Sequence, residues 1–312
     1  MNDKDTLNPL NSLKLFGLTE YFKTLIKFEN NNKFPNALLL TGDKGTGKFT
    51  LINHFLNYIF SKETYNLEQQ SINSNSVVFK NINSSMHQNI FYFTNHLNKD
   101  LQIDDARILK SNLNKSNLNN KPRFIVIDNV EYLNKNTINA LLKTIEEPNQ
   151  NNFFILINNK KELLLETIVS RCFQLHIFLK KNDKNDIKNM LINHHNLNPY
   201  KNLTENYLSP GLFLKYSFLC ETNEIKEDLS YIEKLKKLFL LYRKNKDINF
   251  INLSIFFTEK LFYELILKRD TDAIILNNIK IKILKLINQF VNFNLNLPLT
   301  LNSINAHIND EK

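Results

Sequence analysis

ALLLTGDKGTGK, residues 37–48, decides the reading of this chain. Ala37–Thr41 is a short, continuously apolar run of strand length, and the residues after Lys48 carry Leu51, Phe55 and Ile59 on one helical face. Between them lie Gly42, Gly45 and Gly47, and Lys48 opens the helix. Strand, glycine loop and helix in that order match a phosphate-binding loop, in which backbone N–H groups and a helix N-terminus cradle the anion and the lysine neutralises it. The competing reading is a tight strand-to-helix turn whose lysine is merely solvated. The flanking strand and helix favour the phosphate loop.

The loop lacks its metal ligand. A phosphate loop continues with Ser or Thr, whose hydroxyl holds Mg²⁺, but here the next residue is Phe49. An aromatic ring cannot ligate a hard cation, and Thr50 lies one residue on, about 100° around the helix. A second acidic position ends the run RFIVID, residues 123–128, where Asp128 stands as the carboxylate associated with Mg²⁺. Similar ATPases that are active carry a catalytic glutamate at the following residue; here it is Asn129, which cannot act as a base. Glu131 falls three residues past Asp128, beyond the strand end. Two independent losses point to a subunit that does not hydrolyse nucleotide.

Working outward, Leu18, Phe22, Leu25 and Ile26 predict an amphipathic helix ending in the polar run 30–33. The stretch 61–76 reads as a linker or small insertion, and 77–80 and 90–93 as extended segments. Asp104 or Asp105 can cap a helix running to Leu113. RFIVID is a strand buried on both faces. Ile138, Leu141, Leu142 and Ile145 lie on a helix that stops at Pro148. FFILI, residues 153–157, and residues 173–177 complete the strands. Alternating strands and helices imply a mainly parallel sheet covered on both faces. After about Leu179 only helical periods remain, such as Leu229, Ile232, Leu235, Phe239 and then Ile251, Ile255, Leu261.

The 312 residues, 42% hydrophobic and 23% charged, suit a globular protein of two or three domains. The net charge of +9 permits nucleic acid nearby, although a lysine- and asparagine-rich composition produces such a charge without any binding role. Cys172 and Cys220 stand far apart, so neither a disulfide framework nor a zinc site is expected. His194 and His195 are neighbours that point about 100° apart on a helix, a poor chelating geometry. No apolar run reaches the roughly 20 residues needed to span a bilayer, and the polar N-terminus has no export signal. A soluble, cytoplasmic protein is expected, with no membrane partner.

The block DNVEYLNKNTINALLKTIEEP, residues 128–148, together with Ser170-Arg171-Cys172, resembles bacterial clamp-loader subunits of the AAA+ class. In that family an NALLK-type helix follows the acidic strand and an SRC motif comes later. Residues 34–42, FPNALLLTG, are similar to the family's entry to the loop, and residues 103–107, IDDAR, to a helix start. Ser209-Pro210-Gly211 resembles the delta-prime branch, and the sensor-2 arginine of the hydrolysing gamma/tau subunits is missing there. Asn158-Asn159 occupies the place where an active subunit carries Thr and Lys, with Lys160 beside it.

The resemblance implies an AAA+ α/β domain with a parallel sheet (1–178), a small helical lid (179–222) and an all-helical collar that oligomerises (223–312). It implies a structural subunit that helps load a sliding clamp on primed DNA and uses Arg171 in trans on a neighbour's nucleotide. Gly42, Gly45, Gly47, Lys48 and Asp128 become a degenerate nucleotide site. No cofactor is required, weak ATP or ADP binding is left open, and no zinc is expected because residues 60–77 lack the cysteines of many relatives. The implied partners are gamma/tau and delta subunits, with clamp and DNA reached through the complex. Cys172 reads as a small packed residue, not a nucleophile. The rival readings are an ATP-hydrolysing loader subunit, of gamma/tau or small archaeal type, and a phosphate-loop nucleotide kinase. Phe49 and Asn129 oppose the first, and the NALLK-type helix with SRC opposes the second.

Overall fold

The computed structural model describes residues 7–94, 121–133, 135–146, 151–159, 164, 166–198, 203, 208–268 and 272–309. The expected helix from Asp104 or Asp105 to Leu113, Pro148 and Lys160 lie outside the described residues. The chain forms two compact units, one of residues 1–199 and 203–215, the other of residues 200–202 and 216–312.

The first unit is built on a five-stranded, wholly parallel sheet. In chain order its elements are α1 (Thr19–Asn30), β1 (Ala37–Thr41), α2 (Lys48–Phe60), α3 (Val77–Asn83), β2 (Ile90–Thr94), β3 (Arg123–Asp128), α4 (Lys135–Glu146), β4 (Asn152–Ile157), α5 (Glu166–Val169), β5 (Phe173–His176) and α6 (Lys181–His195). The strand order is β2-β3-β4-β1-β5, so the strand that leads into the glycine loop lies between β4 and β5.

Period-two alternation divides the sheet's side chains between two cores. Leu38, Leu40, Phe124, Val126, Ile155 and Ile157 face one layer, shared with α1, α2, α3 and α6. Ala37, Leu39, Ile125, Ile127, Phe154 and Leu156 face the other, shared with α4 and α5. Burial on both sides explains why these strands read as unbroken apolar runs. Each fully buried Leu or Ile contributes about 1.5–3 kcal/mol. Aromatic rings extend the first core, with Phe34 stacked on Phe55 at 5.2 Å and Phe124 on Phe153 at 5.4 Å. β5 is an edge strand and is largely exposed.

Two expectations need revision. Residues 77–80 are not extended; they begin α3. The β-branched pair Val77-Val78 favours a strand, but only Phe79 and Ile82, three apart on one helical face, are buried, while Val77 is 71% exposed. Tertiary packing at helical spacing outweighs a strand propensity worth at most about 1 kcal/mol. The stretch 61–76 is irregular, as expected, but it is no loose linker. Asn66 and Ser71 exchange two backbone hydrogen bonds of 3.0 Å, and Leu15 and Ile72 tie it to the N-terminal segment through bonds to Gln70 and Leu13. Tyr65 and Ile72 are buried beneath it.

The second unit holds α8 (Tyr231–Asn245), α9 (Ile248–Lys268), α10 (Ala273–Asn292) and α11 (Leu297–Asn309), preceded by α7 (Pro210–Thr222), whose residues from Tyr216 belong here. Ser230 and Glu233 form a reciprocal capping box at the start of α8, and the Asp272 carboxylate accepts the Ile274 N–H at 2.8 Å to start α10. Leu235, Phe239, Ile251, Phe262, Ile283, Ile287, Phe290 and Ile304 form one core. Phe239 stacks on Phe290 with ring centroids 4.4 Å apart. Among the described residues no helix is long and apolar enough to cross a membrane.

Candidate nucleotide site and the SRC arginine

The glycine loop leaves β1 and enters α2 through Gly47, which takes a left-handed conformation that costs glycine little. Lys48 is folded into its own loop: Nζ donates to the carbonyls of Gly42 at 2.9 Å and Asp43 at 2.7 Å, and lies 3.4 Å from the Thr46 hydroxyl. Burial pulls its pKa down to about 8, against the opposing fields of Asp128, Glu131 and Asp43. Asp128, Glu131 and Asp43 are thus near enough for their charges to act on Lys48.

The loop is held from the far side by residues that come much later in the chain. Ser209 Oγ donates to the Lys44 carbonyl at 2.6 Å, and the Gly211 N–H donates to the Gly45 carbonyl at 2.8 Å. Lys184 Nζ lies 3.7 Å from Asp43 Oδ2. Three successive loop residues, Asp43, Lys44 and Gly45, are thus gripped by α6 and the start of α7. Gly45 must be glycine here: its φ is +81°, and a Cβ would meet Ser209 Oγ at 2.4 Å.

At the acidic end, Asp128 closes β3. Its Oδ1 accepts the backbone N–H of Asn129 at 2.9 Å and Asn159 Nδ2 at 2.9 Å, and its Oδ2 accepts Asn129 Nδ2 at 3.1 Å. Both Glu131 oxygens accept the Asn159 backbone N–H, at 3.3 and 3.2 Å. Phe49 packs against Tyr92 at 5.4 Å and against the first core, so it offers the site no oxygen. These residues do not fit a Mg²⁺ ion. The hydroxyl ligand is a ring in the core, and the carboxylate is engaged by amides. The sequence sets Glu131 past the strand end and places Asn159 near the site only through the resemblance; that Asn159 bonds both Asp128 and Glu131 is seen only in the structure. The parallel register that pairs Asp128 with Ile157 sets Asn159 just beyond the strand ends, and that register is the signal that finds it.

Arg171 sits in the turn between α5 and β5, away from the loop's contacts. Its guanidinium pairs with Glu146 at the end of α4 and donates to the Thr167 carbonyl at 2.8 Å. The side chain is 32% exposed. Cys172 is half-buried, and burial pushes its thiol up to about 11, which leaves it an inert packing residue.

A glycine loop entering α2 from an inner strand of a β2-β3-β4-β1-β5 parallel sheet, with Asp128 at the end of β3, defines an AAA+ phosphate-loop protein, here with Phe49 in place of the hydroxyl metal ligand. The family model described as DNA polymerase III, delta subunit, matches residues 17–181, and the chain belongs to that family. It is 28% identical to DNA polymerase III subunit delta' of Buchnera aphidicola subsp. Schizaphis graminum over 238 residues, 73% of this chain and 71% of that one. It is 30% identical to the Bacillus subtilis subunit delta' over 155 residues, 48% of this chain and 44% of that one. Among solved structures, a DNA polymerase III gamma subunit-related protein of Thermotoga maritima aligns with a TM-score of 0.46 at 16% identity, covering 92% of this chain and 98% of that one.

Proposed function

We propose that this chain is the delta-prime-type subunit of a bacterial clamp loader. It hydrolyses no ATP itself, helps place the sliding clamp on primed DNA, and presents Arg171 to nucleotide held by the neighbouring subunit. Its partners are then the gamma/tau and delta subunits, with clamp and DNA met through the complex in the cytoplasm. Residues 1–178 serve as the α/β domain, 179–222 as a lid, and 223–312 as the collar that oligomerises. Gly42, Gly45, Gly47 and Lys48 keep a backbone cradle able to hold ATP or ADP weakly, with no cofactor needed for assembly.

Family membership supports the setting, and one observation carries the role of Arg171: its guanidinium is at the surface, where among the described residues a nearby carbonyl, the Ser170 hydroxyl and the half-exposed Glu146 hold it. A surface ion pair of this kind is worth only about 0–1 kcal/mol, so a phosphate from outside can displace it. The planar fork of donors suits the charge that develops on a transferring phosphoryl group.

The test is the clamp-stimulated ATPase of reconstituted loader carrying wild-type, Arg171→Ala or Arg171→Lys subunit at equal assembly. Arginine fingers supply about 10³–10⁵ in rate, or about 4–7 kcal/mol of barrier. One of several sites loses its finger, so the whole complex should slow by less than that factor. Lys should rescue poorly because it keeps the charge without the fork. Equal rates in the three complexes would reduce Arg171 to the surface ion pair with Glu146. Turnover by the isolated chain above background would instead favour the hydrolysing-subunit reading.

A further inference from the structure

Asp128 is an acceptor-only group that would be the anchor of a divalent cation, and three N–H donors already engage it: the Asn129 backbone, Asn129 Nδ2 and Asn159 Nδ2, all within 3.1 Å. Because a carboxylate can only accept, both amide side chains must turn their nitrogens toward it. The two amides also bond each other, Asn159 Nδ2 donating to Asn129 Oδ1 at 3.1 Å. The same residue, Asn159, gives its backbone N–H to both oxygens of Glu131. One asparagine just past β4 therefore ties down the carboxylate that ends β3 and the one that follows it.

The backbone is shaped for this arrangement. Asn129 has φ +56° and ψ +49°, a left-handed conformation that asparagine tolerates better than other non-glycine residues. The turn folds the Asn129 side chain back onto Asp128, so residue 129 is not extended toward the glycine loop. A cation entering here would have to displace the three donors and leave half-buried amides without acceptors, an unfavourable exchange. It would gain no hydroxyl in return, since Phe49 stands at that position.

We propose that Asn129 and Asn159 form an amide clamp that replaces the metal ion: it satisfies Asp128 and Glu131, joins the ends of β3 and β4, and closes the acidic end of the site to divalent cations. The exclusion follows from occupied ligands and a turned backbone, so restoring a hydroxyl at position 49 alone does not reopen the site. The proposal rests on the reading of this region as a degenerate phosphate-loop site. Its test reads cation uptake, not ATP turnover or assembly, so the two can fail separately.

The experiment titrates the full chain with Mn²⁺ and follows free ion by electron paramagnetic resonance, with Asp128→Asn as the control for unrelated surface binding. Wild type should show no uptake that depends on Asp128. Asn159→Asp turns the central donor into an acceptor beside Asp128 and should create one Mn²⁺ site at least tenfold tighter than any in wild type. Asn129→Asp is the second variant, and circular dichroism confirms that each is folded. Mn²⁺ uptake by wild type that disappears in Asp128→Asn would overturn the proposal outright. Folded Asp variants that gain nothing would overturn it too, by showing that something other than the amides keeps the cation away.

Discussion

Among the described histidines, His54 is the one through which acid should weaken this protein most. His54 lies on α2 with no exposed surface; Tyr65 Oη is 2.9 Å from Nδ1 and the Ser12 carbonyl 3.1 Å from Nε2. The carbonyl can only accept, so Nε2 carries the proton and Nδ1 accepts from the tyrosine. Burial lowers its pKa from 6.5 to about 4, with the Ser12 bond opposing weakly. Below pH 6.5 the unfolded chain binds a proton that the folded chain refuses, so stability is fully present above that pH and falls as pH drops toward 4. At about 1.4 kcal/mol per pH unit, the loss should be about 2 kcal/mol by pH 5 and about 3 kcal/mol when both states are protonated. The assay is urea unfolding at pH 7.5 and 5.0, followed by circular dichroism and tyrosine fluorescence, for wild type and His54→Gln. Carboxylates and the other histidines contribute equally to both proteins. The variant should be the less stable at pH 7.5, yet lose about 2 kcal/mol less on going to pH 5. Losses equal within about 0.5 kcal/mol would show that His54 is not buried in its neutral form.

Two further substitutions probe the packing. Gly45→Ala should destabilise the first unit by about 2–5 kcal/mol, from left-handed strain and a steric clash, because the new Cβ would meet Ser209 Oγ at 2.4 Å and the Leu212 backbone nitrogen at 2.9 Å. An unchanged melting temperature in calorimetry would mean that α7 does not grip the loop. Phe239→Ala should cost the second unit about 3–5 kcal/mol, since the ring is fully buried and stacked on Phe290. Hydrogen exchange resolved by peptide should accelerate in α8 and α10, and uniform exchange across all helices would contradict a separate core.

Much of the first unit was readable because its strands are buried on both faces. ALLL, RFIVID and FFILI are continuous apolar runs bounded by turn residues, and few other elements leave that trace. The α3 segment was misread because its two valines are local strand formers, whereas the decisive fact, Phe79 and Ile82 meeting one core, is tertiary. The site divided in the same way. Gly42, Gly45, Gly47, Lys48 and Asp128 sit in contiguous motifs whose chemistry is local. Asn159 and Ser209 act on residues 31 and 165 positions away, and only strand register and helix docking bring them near.

The position of β1 inside the sheet also governs how the chain can be made. Its partners arrive late: Thr41 bonds His176, 135 residues further on. At roughly 5–20 residues per second of synthesis, about 7–27 s pass between the two strands. Until β4 is made at residues 152–157, which is most of that interval, ALLL has neither neighbour, and its apolar side chains and unpaired backbone are available to any other extended segment. Closing so distant a parallel pair is intrinsically slow. The glycine loop, first of the site's parts to leave the ribosome, is thus the last whose supporting sheet is completed, and holdase chaperones should meet this chain before residue 176 has emerged.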